Sequence, residues 1–268
     1  MLLGIAMLAL SAGCWQPPKI TRAEQERGYV LVLEGIDFNV WQMAGTYHGL
    51  RDAGIDAAID VPDWGYRNVF NSGYRNLSDL PNNRRLCEQF ARRIGDYLRE
   101  HPGRPADIIG YSGGGALAVM TAEALPPGVS LDRIILLGAA LAPDYDLSTA
   151  LSRCERGIVN FYSSADCLVL GAGTKLYGTI DRRKTAAAGH VGFRVPGGGR
   201  EVRGAGPPGG PHSGPYAKLT QVAWTPSMWR LGHDGGHFGW VARRWTAEVV
   251  APWLKRPQAA PETRPTPP

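Results

Sequence analysis

The stretch ADIIGYSGGGALAVMTAEAL at 106–125 sets Ser112 in a Gly-x-Ser-x-Gly frame, with Gly110 and Gly114 at its ends. A serine hydroxyl can attack a carbonyl when a neighbouring base takes its proton and a carboxylate holds that base in one tautomer. The frame alone is a weak signal: 35 glycines and 11 serines in 268 residues give roughly 0.2 matches by chance. Its setting gives it weight. A short apolar run, ADIIGY, leads into Ser112, and a run of helix formers opened by glycines, 113–125, follows it. Gly110 and Gly114 permit the close backbone approach of a strained strand-to-helix turn, and the Gly113 N–H at the helix start can face an oxyanion.

A base and an acid must reach Ser112 from other strand ends. Asp166 directly follows the strand-like run VNFYSSA, and His237, one of six histidines, lies in GHDGGHFGW between the last apolar strand and the last helical run. Asp144 and Asp146 are rival acids after the preceding strand, and His233 is the rival base. The chain order Ser112, Asp166, His237 together with the strand–Ser–helix elbow resembles the α/β-hydrolase fold over roughly residues 28–255. That resemblance implies a covalent acyl-enzyme on Ser112, His237 as general base and acid, Asp166 orienting it, and the N–H of Ile36 as a second oxyanion donor beside Gly113. It also implies a carboxylic ester substrate, either a small molecule or a lipid, with no metal or organic cofactor. Two departures stand out. The interval from Asp166 to His237 is long for the family, so an insertion at about 171–216 has to loop out. Glu34-Gly35-Ile36 stands where a His-Gly type of sequence is common in lipases.

Competing chemistry fits less well. His233 and His237 are four apart, but Gly235 and Gly236 between them oppose the helix that a zincin pair needs, and the middle glutamate is absent. The frame Gly204-Ala205-Gly206-Pro207-Pro208-Gly209 spells a dinucleotide fingerprint, yet it follows no strand and places two prolines where backbone donors are wanted. No Gly-x-x-x-x-Gly-Lys phosphate loop occurs, and no Cys-x-x-Cys pair supports a thiolate zinc site. Net charge is +5, but the basic residues are scattered in short pairs such as Arg84-Arg85, Arg92-Arg93 and Arg182-Arg183, which reads as solvated faces and not as a nucleic-acid surface.

The elements that must position these residues alternate along the chain. Apolar runs at 29–35, 55–61, 106–111, 132–141, 157–166 and 217–225 predict strands, YVLVLEG having the look of one buried on both faces. Between them, Val40, Ala44 and Tyr47 share a helical stripe that stops at Gly54. Leu86, Phe90, Ile94 and Leu98 line one face of a helix at about 82–100, and HFGWVARRWTAEVVAPWL predicts a last helix. This alternation predicts an α/β fold with a mostly parallel central sheet and helices on both faces. The loop at 62–80 carries Trp64, Tyr66, Phe70 and Tyr74, either as a pocket wall or as pins to the core.

At 268 residues with 44% hydrophobic content, one large domain is expected at 28–255. Residues 1–13 read as an export signal. Ser11-Ala12-Gly13-Cys14 resembles a lipoprotein box, which implies lipid attachment at Cys14, a linker at 14–27 and a place in the cell envelope held to a bacterial membrane surface. The insertion predicts a partly mobile loop, and the Pro-rich tail 256–268 predicts disorder. An exported domain permits a disulfide, with Cys154 and Cys167 the candidate pair. An acyltransferase or thioesterase using the same triad, and an envelope binding module without turnover, are the alternatives to ester hydrolysis.

Overall fold

The computed structural model describes residues 15–36, 40–66, 72–195 and 214–256. Six strands form one sheet: β1 Tyr29–Leu33, β2 Ala58–Asp60, β3 Ala106–Tyr111, β4 Arg133–Leu137, β5 Ile158–Tyr162 and β6 Leu219–Ala223. Their order is β2-β1-β3-β4-β5-β6, and every pairing is parallel. The chain runs outward from β1 to β2 and then returns to the other side of β1 for β3. The order therefore reverses between β1 and β3, and in open α/β sheets a crevice opens at the strand C-termini beside such a reversal.

Strand alternation divides the core into two layers. Leu31, Leu33, Ile108, Ile134, Leu136 and Ile158 face one side, against the helices Leu80–Glu100 and Gly113–Glu123. Val30, Val32, Ile109, Ile135, Val159 and Phe161 face the other, against the helix Ala44–Asp52 and the C-terminal helical segment. Burial on both sides explains why these strands read as unbroken apolar runs. The helix at 80–100 begins where Asp79 Oδ1 accepts from Asn82 N–H, with Pro81 in its first turn. Of its predicted stripe, Phe90 and Ile94 are buried while Leu86 and Leu98 sit at the margin; Cys87, Ala91 and Tyr97 complete the buried face.

Three expectations need correction. The last helix is not continuous: His237–Val241 is a 3₁₀ turn, Ala242 is extended, and helix resumes at Arg243 with a π-helical stretch Thr246–Val250 just before Pro252. Proline has no N–H to give to the preceding turn, and the wider π spacing accommodates that loss. The predicted loop after 171 is built into the fold as far as 195. Ala188 N–H donates to Leu141 O, Gly189 N–H to Ala139 O, and Ile180 N–H to Ala140 O, so this segment packs on the C-terminal ends of β4 and β5. A Cβ on Gly189 would lie 2.2 Å from the Gly138 carbonyl carbon, which is why a small residue stands there. Residues 196–213, Phe70, Cys14 with the signal segment, and the tail from 257 lie outside the described residues.

Cys154 and Cys167 are both free thiols. They flank β5 at opposite ends, and five residues of strand separate them by roughly 16 Å, far beyond the reach of a disulfide. Cys154 is buried and Cys167 is exposed.

Candidate active site

Ser112 sits between β3 and the helix Gly113–Glu123 with φ 53° and ψ −117°. Its N–H donates to Leu137 O and its carbonyl accepts from Ala140 N–H, so the end of β4 clamps the turn on both sides. Such a conformation is costly for a residue with a Cβ and persists only where neighbours over-determine it. The flanking glycines make the clamp possible. A Cβ on Gly110 would lie 2.4 Å from Gly114 O, and one on Gly114 would lie 2.3 Å from Glu34 O. The predicted sharp elbow is present, and its glycines are required by contact.

Ser112, His237 and Asp166 come together. His237 Nε2 is 3.0 Å from Ser112 Oγ, and His237 Nδ1 is 2.6 Å from Asp166 Oδ2. An ionised carboxylate can only accept, so Nδ1 carries the proton and Nε2 is free to accept from the serine hydroxyl. All three side chains are buried, His237 keeping 8% of its surface exposed. Asp166 follows β5 as the cap of the π-helical turn Cys167–Gly173, and its Oδ1 accepts from Leu170 N–H at 3.4 Å. His237 opens the 3₁₀ turn that follows β6. Tyr111 donates its hydroxyl to His237 O at 3.2 Å and lays its ring 5.1 Å from the imidazole, so the residue before Ser112 supports His237.

The end of β1 meets this turn. A Cβ on Gly113 would be 2.5 Å from Ile36 Cγ2 and 3.5 Å from Ile36 N, which places the Ile36 amide beside the start of the helix Gly113–Glu123. Asn76 Nδ2 donates to Ile36 O, and Trp64 Nε1 donates to Glu34 O, pinning this strand end from the β2 side. Of the aromatic loop, Trp64 is thus a buried pin, Tyr66 donates to Asp79 under the Arg75 guanidinium, and Tyr74 is exposed.

The rivals are engaged elsewhere. Asp144 pairs with Arg183 at 3.0 Å, and Asp146 accepts from Ser148 N–H and the Tyr216 hydroxyl. His233 is wholly buried among Trp224, Trp240 and Trp245, and its Nδ1 accepts from Gly235 N–H. Burial drives its pKa down to about 4, against the opposing pull of Asp234 and Asp166. It shares no metal geometry with His237, whose two nitrogens are taken up by Asp166 and Ser112.

Ser163 is the residue that sequence reasoning missed. Its hydroxyl donates to Gly235 O at 2.7 Å and accepts from Ala165 N–H, tying the turn before Asp166 to the turn before His237. The signal available was a serine two residues before a turn amide. Its partner lies 72 residues away, which no local pattern reveals.

No protein-family model matches the sequence, and no curated protein matches it. Among solved structures, an uncharacterized protein from Bacillus cereus is 15% identical, with a TM-score of 0.40, over 65% of this chain and 55% of its own length. The chain therefore spans only about half of that protein. The RedJ thioesterase from the prodiginine biosynthetic pathway of Streptomyces coelicolor is 15% identical with a TM-score of 0.37, over 82% of this chain and 93% of the other. The pyrethroid hydrolase PytH is 13% identical with a TM-score of 0.39, over 84% and 97%. The fold is read from this chain itself: a six-stranded parallel sheet reversing at β1 and β3, with the elbow after β3 and later strand ends bringing up a carboxylate and an imidazole.

Proposed function

We propose that this chain, which has the α/β-hydrolase fold, is a serine hydrolase that cleaves a carboxylic ester. The observation that carries the reading is the continuous chain from Asp166 Oδ2 through His237 to Ser112 Oγ, on a serine held at positive φ. Ser112 attacks the carbonyl carbon while His237 Nε2 takes the hydroxyl proton; Asp166 stabilises the imidazolium that forms. The tetrahedral oxyanion is received by the N–H groups of Gly113 and Ile36, each such donor contributing about 3 kcal/mol to the transition state. His237 then protonates the leaving alkoxide. Water, deprotonated by the same imidazole, attacks the acyl-enzyme, releases the acid and restores Ser112. The lipid attachment at Cys14, with the envelope location it implies, is part of the same proposal and rests on the sequence of residues 1–14.

The test is labelling of the purified protein with a fluorophosphonate, with the adduct mapped by mass spectrometry. The expected result is an adduct on Ser112 that is lost in Ser112→Ala and sharply reduced in His237→Ala. Folded protein that stays unlabelled would overturn the reading and favour an envelope binding module.

A further inference from the structure

Large apolar side chains are exposed at nine positions among the described residues, and four of them, Trp41, Leu168, Val169 and Trp229, follow the C-terminal ends of β1, β5 and β6 by fewer than ten residues. This is the end of the sheet from which Ser112 also emerges. Phe238, 65% exposed, adjoins His237, and Leu168, 80% exposed, lies two residues after Asp166. Scattered exposed apolar groups are ordinary on a protein surface, but a set gathered on one face marks a contact surface.

The segment 167–191 identifies what that surface meets. It exposes Leu168, Val169, Leu176 and Tyr177, and among them stand the exposed cations Lys175, Arg182, Arg183 and Lys184. Its one acid, Asp181, is occupied internally, accepting from the Thr179 hydroxyl and from Ala142 N–H. Arg183 pairs with Asp144, while no ion pair among the described residues holds Lys175, Arg182 or Lys184. Arg182 adopts φ 67° at the tip of a turn closed by Thr179 N–H to Arg183 O. Apart from Ser112 it is the only non-glycine residue at positive φ among the described residues. Its guanidinium reaches Gly178. Apolar side chains interleaved with cations that form no ion pair among the described residues complement a hydrocarbon layer faced with phosphates.

We propose that the catalytic face docks onto an anionic phospholipid surface. Leu168, Val169, Leu176 and Tyr177 enter the headgroup layer, and Lys175, Arg182 and Lys184 meet lipid phosphates. The contact brings Ser112 to esters carried in that layer, a substrate class that rests on the serine hydrolase reading; the docking itself does not.

The test uses the full chain carrying Cys14→Ser, with a polarity-sensitive nitrobenzoxadiazole label on exposed Cys167, the other two thiols being buried. The label is followed during titration with phosphatidylglycerol–phosphatidylcholine vesicles and with pure phosphatidylcholine vesicles. A blue shift on the anionic vesicles is expected, with partitioning at least about tenfold weaker on phosphatidylcholine or at high salt. Leu176→Glu and the pair Lys175→Glu/Arg182→Glu should each lower partitioning about tenfold or more. The proposal is overturned by an absent shift, by equal shifts on both vesicle types, or by binding that ignores both variants, which would trace to the N-terminal segment. A label buried by self-association without vesicles would assign the face to a second copy and would equally overturn it. Turnover of a short water-soluble ester by the same proteins separates the two readings. Turnover without docking removes this proposal alone, whereas docking without turnover leaves the surface standing and removes the substrate class.

Discussion

At the N-terminal ends of β3 and β4, Asp132 accepts from both Arg156 and Arg256, and Arg156 also donates to the carbonyls of Leu254 and Lys255. At the C-terminal ends, Asp166 accepts from His237, whose other nitrogen faces Ser112. Both are buried carboxylates with a cationic or ionisable partner, and both join segments far apart in sequence. They differ in where the chain of contacts ends. The first closes on backbone carbonyls of the C-terminal helix and so ties the end of the fold to the sheet. The second runs through an imidazole to a hydroxyl on a strained turn. A buried carboxylate is common to both; an end open at a serine hydroxyl distinguishes the second from the first.

Replacing Ser112 with glycine should separate the two ends most sharply. Activity on an ester falls by roughly 10⁴–10⁶-fold, as expected when a nucleophile is removed from a triad. Stability holds or rises slightly, because relief of about 1–3 kcal/mol of backbone strain offsets the lost hydrogen bond and the extra chain entropy of glycine, about 1 kcal/mol each. Turnover and thermal unfolding of the same preparation check this, and a clear fall in Tm would mean that the turn at φ 53° is not strained. Next in size, Asp166→Asn should lower kcat by roughly 10⁴-fold with KM little changed, since an amide no longer enforces the Nδ1–H tautomer of His237. Equal loss in kcat and in folded fraction would return Asp166 to a structural role.

The other end should answer in stability and not in rate. Asp132→Ala leaves Arg156 and Arg256 facing a buried gap and should cost about 3 kcal/mol, read from chemical denaturation. Ester turnover per folded molecule should stay within about twofold. A large fall in kcat there would show that the two ends are coupled through β3 and β4, which the separate hydrogen-bond chains do not show.

How much of this was legible in the sequence depended on how local the cause was. The elbow was legible because ADIIGY, Ser112 and the glycine-opened helix are contiguous, and the contacts of Gly110 and Gly114 fall within a few residues or on the neighbouring strand. The positions of Asp166 and His237 followed from strand ends. What was hidden depends on distant partners. The Ser163–Gly235 bridge needs β5 and β6 to be paired before it exists. The docking of Ala188 and Gly189 against β4 looked like part of a glycine-rich loop because its small residues are chosen for close approach, not for helix or strand propensity. The candidate disulfide failed for a topological reason, in that the strand between Cys154 and Cys167 carries them to opposite ends of the sheet.

Asp107 was the least legible of the buried acids, since in ADIIGY it passes for the polar partner of an alternating strand. It is almost wholly buried, paired in register with Arg133, and its Oδ1 has no hydrogen-bond partner among the described residues. Burial foremost, and then the negative charge of Asp132, push its pKa well above the usual carboxylate range, against the pull of Arg156, Arg256 and Arg133. It is therefore held as a neutral acid across the lower pH range. A folded-state value above the unfolded one makes its contribution to stability fully present below the unfolded value, about 3.8, and lost as pH rises through the folded-state value. Asp107→Asn keeps the shape and removes the titration. At pH 4 it should change stability by less than about 1 kcal/mol, and as pH rises it should gain on the parent protein until the parent's carboxyl has ionised. Denaturation midpoints of both proteins from pH 4 to about 9 would read this, the unperturbed carboxylate range lying near the acid limit. A difference that stays flat, or that falls with pH, would mean Asp107 is ionised in the folded protein. The Asp-to-Asn exchange should therefore act on rate at Asp166 and only on the pH dependence of stability at Asp107, because only the first carboxylate has an imidazole to orient.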